Sequence, residues 1–332
     1  MKICFLDNTD FKYNRHDKYS HKLRGAETIL INLAEQFTKK GHQVTIYNNC
    51  HDFNNDNLIS WININSFKEN DIKKKSYDLA ISNANARFFD YIDSKKKIVI
   101  SYSLQSIEKF IRKKQLIAYL KHKPTYFLIG KYHQNNRSKL ISLFGSKIFN
   151  LAVDDNFINT KLNANIDHNL SIFTSRNDRN LDLLLDIWNN NIFPFFNSGK
   201  LMITPLNNYT NINTNISFRS MGNQNLLIND LLKARIFLVP GHKAELFCLA
   251  AEEARELCIP IVTLGIGSLK ERVIHEKTGF IAKDNKEFGQ YTLALYKDNN
   301  LWSNIRNNLI SLRGSSNWSK VSDKFLKLVD VS

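Results

Sequence analysis

The chain alternates between two hydrophobic periods, and this alternation restricts its fold more than any other feature. KICFL (2–6) is a short apolar run that reads as a buried strand. In GAETILINLAEQFTKKGHQVTIY (25–47), Ile29, Leu30, Leu33, Ala34 and Phe37 fall on one helical face. Lys39 and Lys40 suit the end of that helix, Gly41 suits the position just past it, and QVTIY (43–47) reads as a second strand. Strand, helix, strand predicts a parallel pair. DLAIS (78–82), KIVISYS (97–103) and KIFNLAV (147–153) read as further strands. The pattern restarts near 168. LSIFTS (170–175), KLMITPL (200–206), IFLVP (236–240) and IPIVTL (259–264) read as strands. NLDLLLDIW (180–188), NLLINDLLKA (225–234) and a stretch near 247–258 read as helices between them.

Two such patterns in 332 residues predict two Rossmann-like, doubly wound α/β domains. We expect an N-terminal domain over 1–155, a C-terminal domain over 156–315, and a last helix in 316–332 that packs back toward the first domain. The Asp/Asn-rich stretch DDNFINTKLNANIDHN (154–169) suits the junction. Charge divides the same way: residues 1–150 hold 26 Lys and Arg against 13 Asp and Glu, whereas the remainder is nearly balanced at 20 against 18. Ligands of doubly wound sheets sit beyond the carboxyl ends of the strands, at helix N-termini. The four cysteines, Cys4, Cys50, Cys248 and Cys258, form no C-x-x-C pair, so neither a zinc site nor a disulfide framework is expected. The apolar run at the N-terminus is too short for a signal peptide, and no apolar run reaches the ~18 residues of a membrane span. A cytoplasmic protein is expected.

The densest chemistry lies in PGHKAELFCLAAEEARELCIPIVTLGIGSLKERVIHEKTGF (240–280), which carries Glu245 and Glu253. If both were helical they would stand roughly 12 Å apart. Paired glycosidase carboxylates stand roughly 5–9.5 Å apart, so a hydrolytic pair is disfavoured. Placing Glu245 in the loop after IFLVP leaves the amides of Phe247, Cys248 and Leu249 at a helix N-terminus, an anion site suited to phosphate. Carboxylates on either side would then accept hydroxyl protons from two sugars. The residues equally permit a plainer reading. In it, Glu245 favours the helix dipole and Glu253 is a solvated helix residue beside Glu252 and Glu256.

In order, Glu245, Phe247-Cys248, Glu253-Ala254, Cys258-Ile259-Pro260-Ile261-Val262, Gly267-Ser268, Glu271 and Thr278-Gly279-Phe280 resemble the signature of glycosyltransferase family 4, retaining enzymes of the GT-B fold. That resemblance implies two Rossmann-like domains facing across a cleft. It implies that Glu245 contacts donor-sugar hydroxyls, that Glu253 holds the nucleotide ribose, and that the amides at 247–249 hold the diphosphate. TSRNDRNLDLLLDIW (174–188) is similar to the family's S-x-P-x-R-G-L segment, so Arg179, with Arg176 beside it, would meet the diphosphate; Asn177 stands for the usual Pro and Asn180 for the usual Gly. FRSMGN (218–223) places Gly222 near the base, and RGAE (24–27) places Gly25 in the loop facing the donor phosphates, with Arg24 for the first Gly of the pair. NLAVDDNF (150–157) resembles the family's linker, with Ala152 for Gly. His42 reads as structural. After the strand 97–103 the family often has a histidine in the cleft, and this chain has SYSLQS. The resemblance implies a UDP- or GDP-sugar donor, no metal and no separate cofactor. It implies an acceptor that is a glycan or a lipid-linked glycan of the cell envelope.

Residues 109–147 hold ten Lys and Arg and no acid, with Leu116, Ile117, Leu120, Phe127, Leu128 and Ile129 between the cations. Such a surface suits an anionic membrane face, and equally a solvated lysine-rich face. A sequence pI near 9.5 raises the question of nucleic acid. No zinc finger, RNP motif or helix-turn-helix accompanies the charge, so nucleic-acid binding is not expected. The remaining rivals are an inactive GT-B partner subunit, and an epimerase or phosphorylase, the last of which would need a pyridoxal-phosphate lysine.

Overall fold

A computed structural model describes residues 1–19, 23–51, 55–56, 58–65, 75–104, 106–162, 165–205 and 215–330. The chain divides into two compact units, Met1–Leu151 with Trp318–Ser332, and Ala152–Asn317.

The first unit runs β1 (Lys2–Leu6), α1 (Gly25–Lys39), β2 (Gln43–Asn48), β3 (Asn55–Asp56), β4 (Ile59–Asn63), β5 (Ser76–Asn83) and β6 (Asp93–Ile100). It continues through α2 (Ile107–Arg112), α3 (Leu116–His122), β7 (Thr125–Leu128), α4 (Lys131–Asn136) and β8 (Ser146–Ile148). The strand order is β3-β4-β2-β1-β5-β6-β7-β8. Every pairing is parallel except β3 with β4. The central strand β1 is buried over Ile3, Cys4, Phe5 and Leu6, because parallel strands are covered on both faces. Helix α1 buries the stripe read from its sequence, and Gly41 past its end takes φ +82°.

The second unit runs α5 (Asp155–Asn159), β9 (Asp167–Phe173), α6 (Leu181–Ile187), β10 (Lys200–Ile203), β11 (Ile216–Phe218), α7 (Gln224–Lys233) and β12 (Ala234–Leu238). Then follow α8 (Leu249–Glu256), β13 (Ile261–Thr263), β14 (Gly279–Ile281), α9 (Asn285–Lys297) and α10 (Asn299–Leu312). Its strands are all parallel in the order β11-β10-β9-β12-β13-β14. Arg235 on β12 is fully buried without a carboxylate partner. It donates to Leu295 O (2.8 Å), His168 Nδ1 (2.6 Å) and Asn299 Oδ1 (2.7 Å), and lies 4.7 Å over the Trp302 ring.

The last helix, α11 (Trp318–Asp330), belongs to the first unit. Phe325 meets Phe127, Phe149 and Phe37 with ring centroids 4.5, 5.2 and 5.7 Å apart, and Lys40 pairs with Asp323 at 2.7 Å.

Three expectations are corrected. The strand read over 97–103 ends at Ile100; the Ser101 amide makes a last bond to Phe127 O at 3.0 Å, and beyond it Ser101 Oγ donates to Ser103 O. The strand read over 147–153 ends at Ile148. In the basic stretch, Phe127, Leu128 and Ile129 are buried, because β7 runs inside the sheet. The exposed apolar residues there are Ile111, Ile117, Leu120 and Leu143, with Ile107 just before them.

Candidate functional site

The segment 239–249 leaves β12 at its carboxyl end and enters α8, and three backbone facts shape it. Glu245 N donates to His242 O at 2.9 Å and Glu245 O accepts from Ser268 N at 2.9 Å. Gly267 takes φ +73° at this crossing, and a Cβ there would stand 2.3 Å from His242 O and 2.8 Å from Glu245 O. Only glycine allows the two loops to approach this closely. Cys248 caps α8 in the left-handed conformation, φ 62°, so the helix begins at Leu249 and not at 247. The amides of Phe247, Cys248 and Leu249 donate to no backbone carbonyl among the described residues. Cys248 and Leu249 stand at the start of this eight-residue helix and Phe247 lies just before it.

Arg179 reaches this loop. Its Nε lies 3.5 Å from Glu245 Oε2, and its Nη1 lies 3.0 Å from Asp178 Oδ2. Burial raises the Glu245 pKa, and the charges of Arg179 and Arg176 oppose that rise. Arg176 is largely exposed and is tied to Asp178 at 3.0 Å. The loop that carries both arginines keeps its shape without glycine at 180. Asn180 adopts φ 62°, ψ 38°, and its Nδ2 donates to Gly241 O at 2.6 Å. Asparagine is among the few residues that enter this region readily. Asn177, in the place of Pro, donates to Pro205 O at 3.0 Å.

The side chain of Glu253, one turn into α8, makes no hydrogen bond or ion pair among the described residues, and burial pushes its carboxyl up to about 7 against the pull of Arg219. Its neighbour Glu252 has the opposite character. It is buried and clamped by Arg272 (2.6 Å) and Arg255 (2.7 Å), while Arg272 lies 4.2 Å over the Phe247 ring. The clamp ties the α8 N-terminus to the turn after β13. Glu253 and Glu252 thus face different surroundings.

Of the residues named from sequence, Arg179, Glu245, Phe247, Cys248, Leu249 and Glu253 gather around the α8 N-terminus, with Arg176 at its edge. Gly222 instead packs before α7, where a Cβ would stand 2.4 Å from Leu226 Cδ1. Gly25 opens α1 in the other unit, and Arg24 beside it is exposed, 3.6 Å from Asp10. The sequence reading missed Arg219 and the Arg272–Glu252 clamp, for which no local pattern signals burial. It also missed a polar chain in the first unit, beyond the carboxyl ends of β1, β5 and β6. Asp7 accepts from Tyr13 OH (2.8 Å) and Asn83 Nδ2 (3.1 Å), and Asn83 Oδ1 accepts from Tyr102 OH (3.1 Å). Tyr102 lies in the SYSLQS segment that lacks the expected histidine. A buried imidazole from α4, His133, packs near Ser103 of that segment, and burial lowers its pKa to about 4.

Residues 207–311 match the model of the family described as glycosyl transferases group 1. A search of curated proteins finds no match. Among solved structures, the chain is similar to sucrose-phosphate synthase from Thermosynechococcus elongatus, at 13% identity and TM-score 0.72, covering 99% of this chain and 98% of that one. It is similar to HepE of Anabaena in complex with UDP-glucose, at 13% identity and TM-score 0.70, covering 100% of both chains. It is also similar to WaaG, a glycosyltransferase involved in lipopolysaccharide biosynthesis, at 10% identity and TM-score 0.69, covering 98% of this chain and 99% of that one. The fold is GT-B, and the residues that match the group 1 model lie in its second unit.

Proposed function

From a group 1 glycosyl transferase segment in a GT-B frame, we infer a retaining hexosyltransferase that moves a sugar from a UDP- or GDP-sugar to a glycan or lipid-linked acceptor of the cell envelope. The observation that carries this reading is the arrangement at α8. Amides at 247–249 that bond no backbone carbonyl and the Arg179 guanidinium stand beside a half-buried Glu245, and an unpaired Glu253 sits one turn further along. The set matches a nucleotide diphosphate sugar, with cation and amides for the diphosphate and a carboxylate for hydroxyls at either end. HepE of Anabaena in complex with UDP-glucose supports a uridine nucleotide as the first candidate.

In this reading the bond from the anomeric carbon to the diphosphate oxygen breaks as the acceptor oxygen bonds to that carbon. The acceptor proton passes to the departing diphosphate, on the same face, which gives retention. Arg179 and the helix amides carry the charge that grows on the leaving group. Glu245 orients the sugar, and the Arg179 charge opposes the rise in its pKa that burial causes. This charge compensation uses no metal ion.

The first unit has the acceptor role in this proposal, at an anionic membrane face. Ile117 is 81% exposed and Ile111 53%, on helices that also carry Lys109, Arg112 and Lys121. Lys95, Lys96, Lys97 and Lys123 line a cavity of about 200 Å³ in the same unit. No helix among the described residues is long and apolar enough to cross a membrane. Surface association through cations and short apolar insertions fits these features.

The test is thermal unfolding with UDP, GDP, ADP and CMP, beside Glu253→Ala and Arg179→Ala. A ligand at about 100 times its Kd adds roughly 2.7 kcal/mol, a shift of several degrees. One nucleotide that stabilises the wild type and neither variant supports the reading. Folded wild type that responds to none of them refutes it and leaves the GT-B partner subunit as the better account.

A further inference from the structure

The turn after β13, residues 267–272, holds the loop before α8 at both of its ends. Ser268 N donates to Glu245 O at 2.9 Å, where the loop begins. Arg272 grips the other end from two sides. Its guanidinium lies 4.2 Å over the Phe247 ring, and its Nη1 donates to Glu252 Oε1, in the first turn of α8, at 2.6 Å. Arg272, Phe247 and Glu252 are all buried. The chain of charge continues along the helix. Arg255 joins Glu252 Oε2 (2.7 Å) to Glu256 Oε1 (2.8 Å), and Glu256 Oε2 accepts from Gly314 N (2.7 Å).

Between Phe247 and Glu252 the backbone makes its entry to the helix through Cys248, at φ 62°, ψ 76°. That conformation is unfavourable for a residue with a Cβ, and it persists only where the surroundings over-determine it. Arg272 ties the side chains on either side of Cys248 to one rigid group. An ion pair is a poor means of gaining stability at such a place. Both charges lose their hydration, Arg272 Nε has no hydrogen-bond partner, and apolar residues of similar volume often serve a fold as well. A planar guanidinium adds direction: stacked on a ring and bonded to a carboxylate, it restricts the placement of both partners.

We propose that Arg272 is a positioning residue for the donor diphosphate: without touching the nucleotide, it acts through Phe247 and Glu252 to aim the amides of 247–249 at the phosphates. This deepens the nucleotide-sugar reading above and rests on it.

The experiment is calorimetric titration of UDP, with uridine measured by its displacement of UDP, and GDP with guanosine run in parallel. It uses wild type, the double variant Arg272→Leu/Glu252→Leu, and Arg272→Lys, each checked by urea unfolding. The double variant removes both charges together, so no carboxylate is stranded beside the phosphates, and Arg255 keeps Glu256. Its urea midpoint should equal or exceed that of wild type. Its affinity for the nucleoside diphosphate should fall by about tenfold or more, the value of one hydrogen bond to a charged group, while its affinity for the nucleoside stays within about twofold. Arg272→Lys keeps a charge for Glu252 without the flat stack on Phe247, so it should show the same split at smaller size, and it carries the test if the double variant does not fold. Undiminished affinity for the diphosphate overturns the proposal. So does an equal loss for diphosphate and nucleoside, which would mark the clamp as support for the fold alone. Wild type that binds neither UDP nor GDP overturns the transferase reading, and this inference with it.

Discussion

Replacing Glu253 by glutamine should stabilise the nucleotide-free protein at pH 8 and barely change it at pH 4.5. Burial holds the Glu253 carboxyl at about 7 against an ordinary 4.5. Between those values the folded chain keeps a proton that the unfolded chain has lost. Stability therefore falls as pH rises through this window and then levels off above about 7. The full displacement corresponds to at most about 3.4 kcal/mol. The carboxyl is half-buried and partly screened, so about 1.5–2 kcal/mol is the expected gain at pH 8. Glutamine keeps the shape without the charge. The assay is urea unfolding of both proteins at the two pH values, read from tryptophan fluorescence, with Trp188 and Trp302 reporting on the second unit. The same substitution should weaken UDP binding, since it removes the charge and turns one of the two acceptor oxygens into an N–H donor. A variant no more stable than wild type at pH 8, or one that gains equally at both values, would refute the account of Glu253 as a carboxylate held unpaired for a ligand.

Other perturbations test the frame around it. Gly267→Ala places a methyl 2.3 Å from His242 O at positive φ, so it should displace the Glu245 loop, lower stability by about 1–3 kcal/mol and abolish any nucleotide-induced shift in Tm. Asn180→Gly should remain within about 1 kcal/mol of wild type, whereas Asn180→Val should lose roughly 2–3 kcal/mol, because a β-branched residue resists the left-handed region; urea unfolding separates them. Arg235→Met should destabilise the second unit by about 1–3 kcal/mol, since the buried Leu295 carbonyl loses its donor while His168 and Asn299 can turn to water; equal urea midpoints would show that those bonds contribute nothing net.

The chain's local patterns determined its class. Periods of two and 3.6 residues record which face of each element is dry, so the restart of strand and helix near 168 predicts two parallel-sheet units. The end of α1 was readable because Gly41 is the cheapest residue at φ +82°. The carboxylates of 240–280 and Arg179 were legible as residue types in a familiar order. Their contact was not: Arg179 and Glu245 lie in different βα units, and only the pairing of β9 with β12 brings those loops to 3.5 Å. Asn180 stands where the resemblance has glycine, and tertiary packing holds it left-handed all the same, as it holds Cys248. Phe127 and Leu128 looked like part of a basic surface because charge dominates their neighbourhood in sequence. The strands that cover them, β6 and β8, begin more than 15 residues away in the chain. Arg219 gave no local sign at all. Its burial is set by Ile203, Asp230 and Met221, which converge on it from β10, α7 and the loop between β11 and α7. Short-range sequence encodes what each segment must hide, while the meeting of unlike charges across strands depends on sheet order, which no single segment carries.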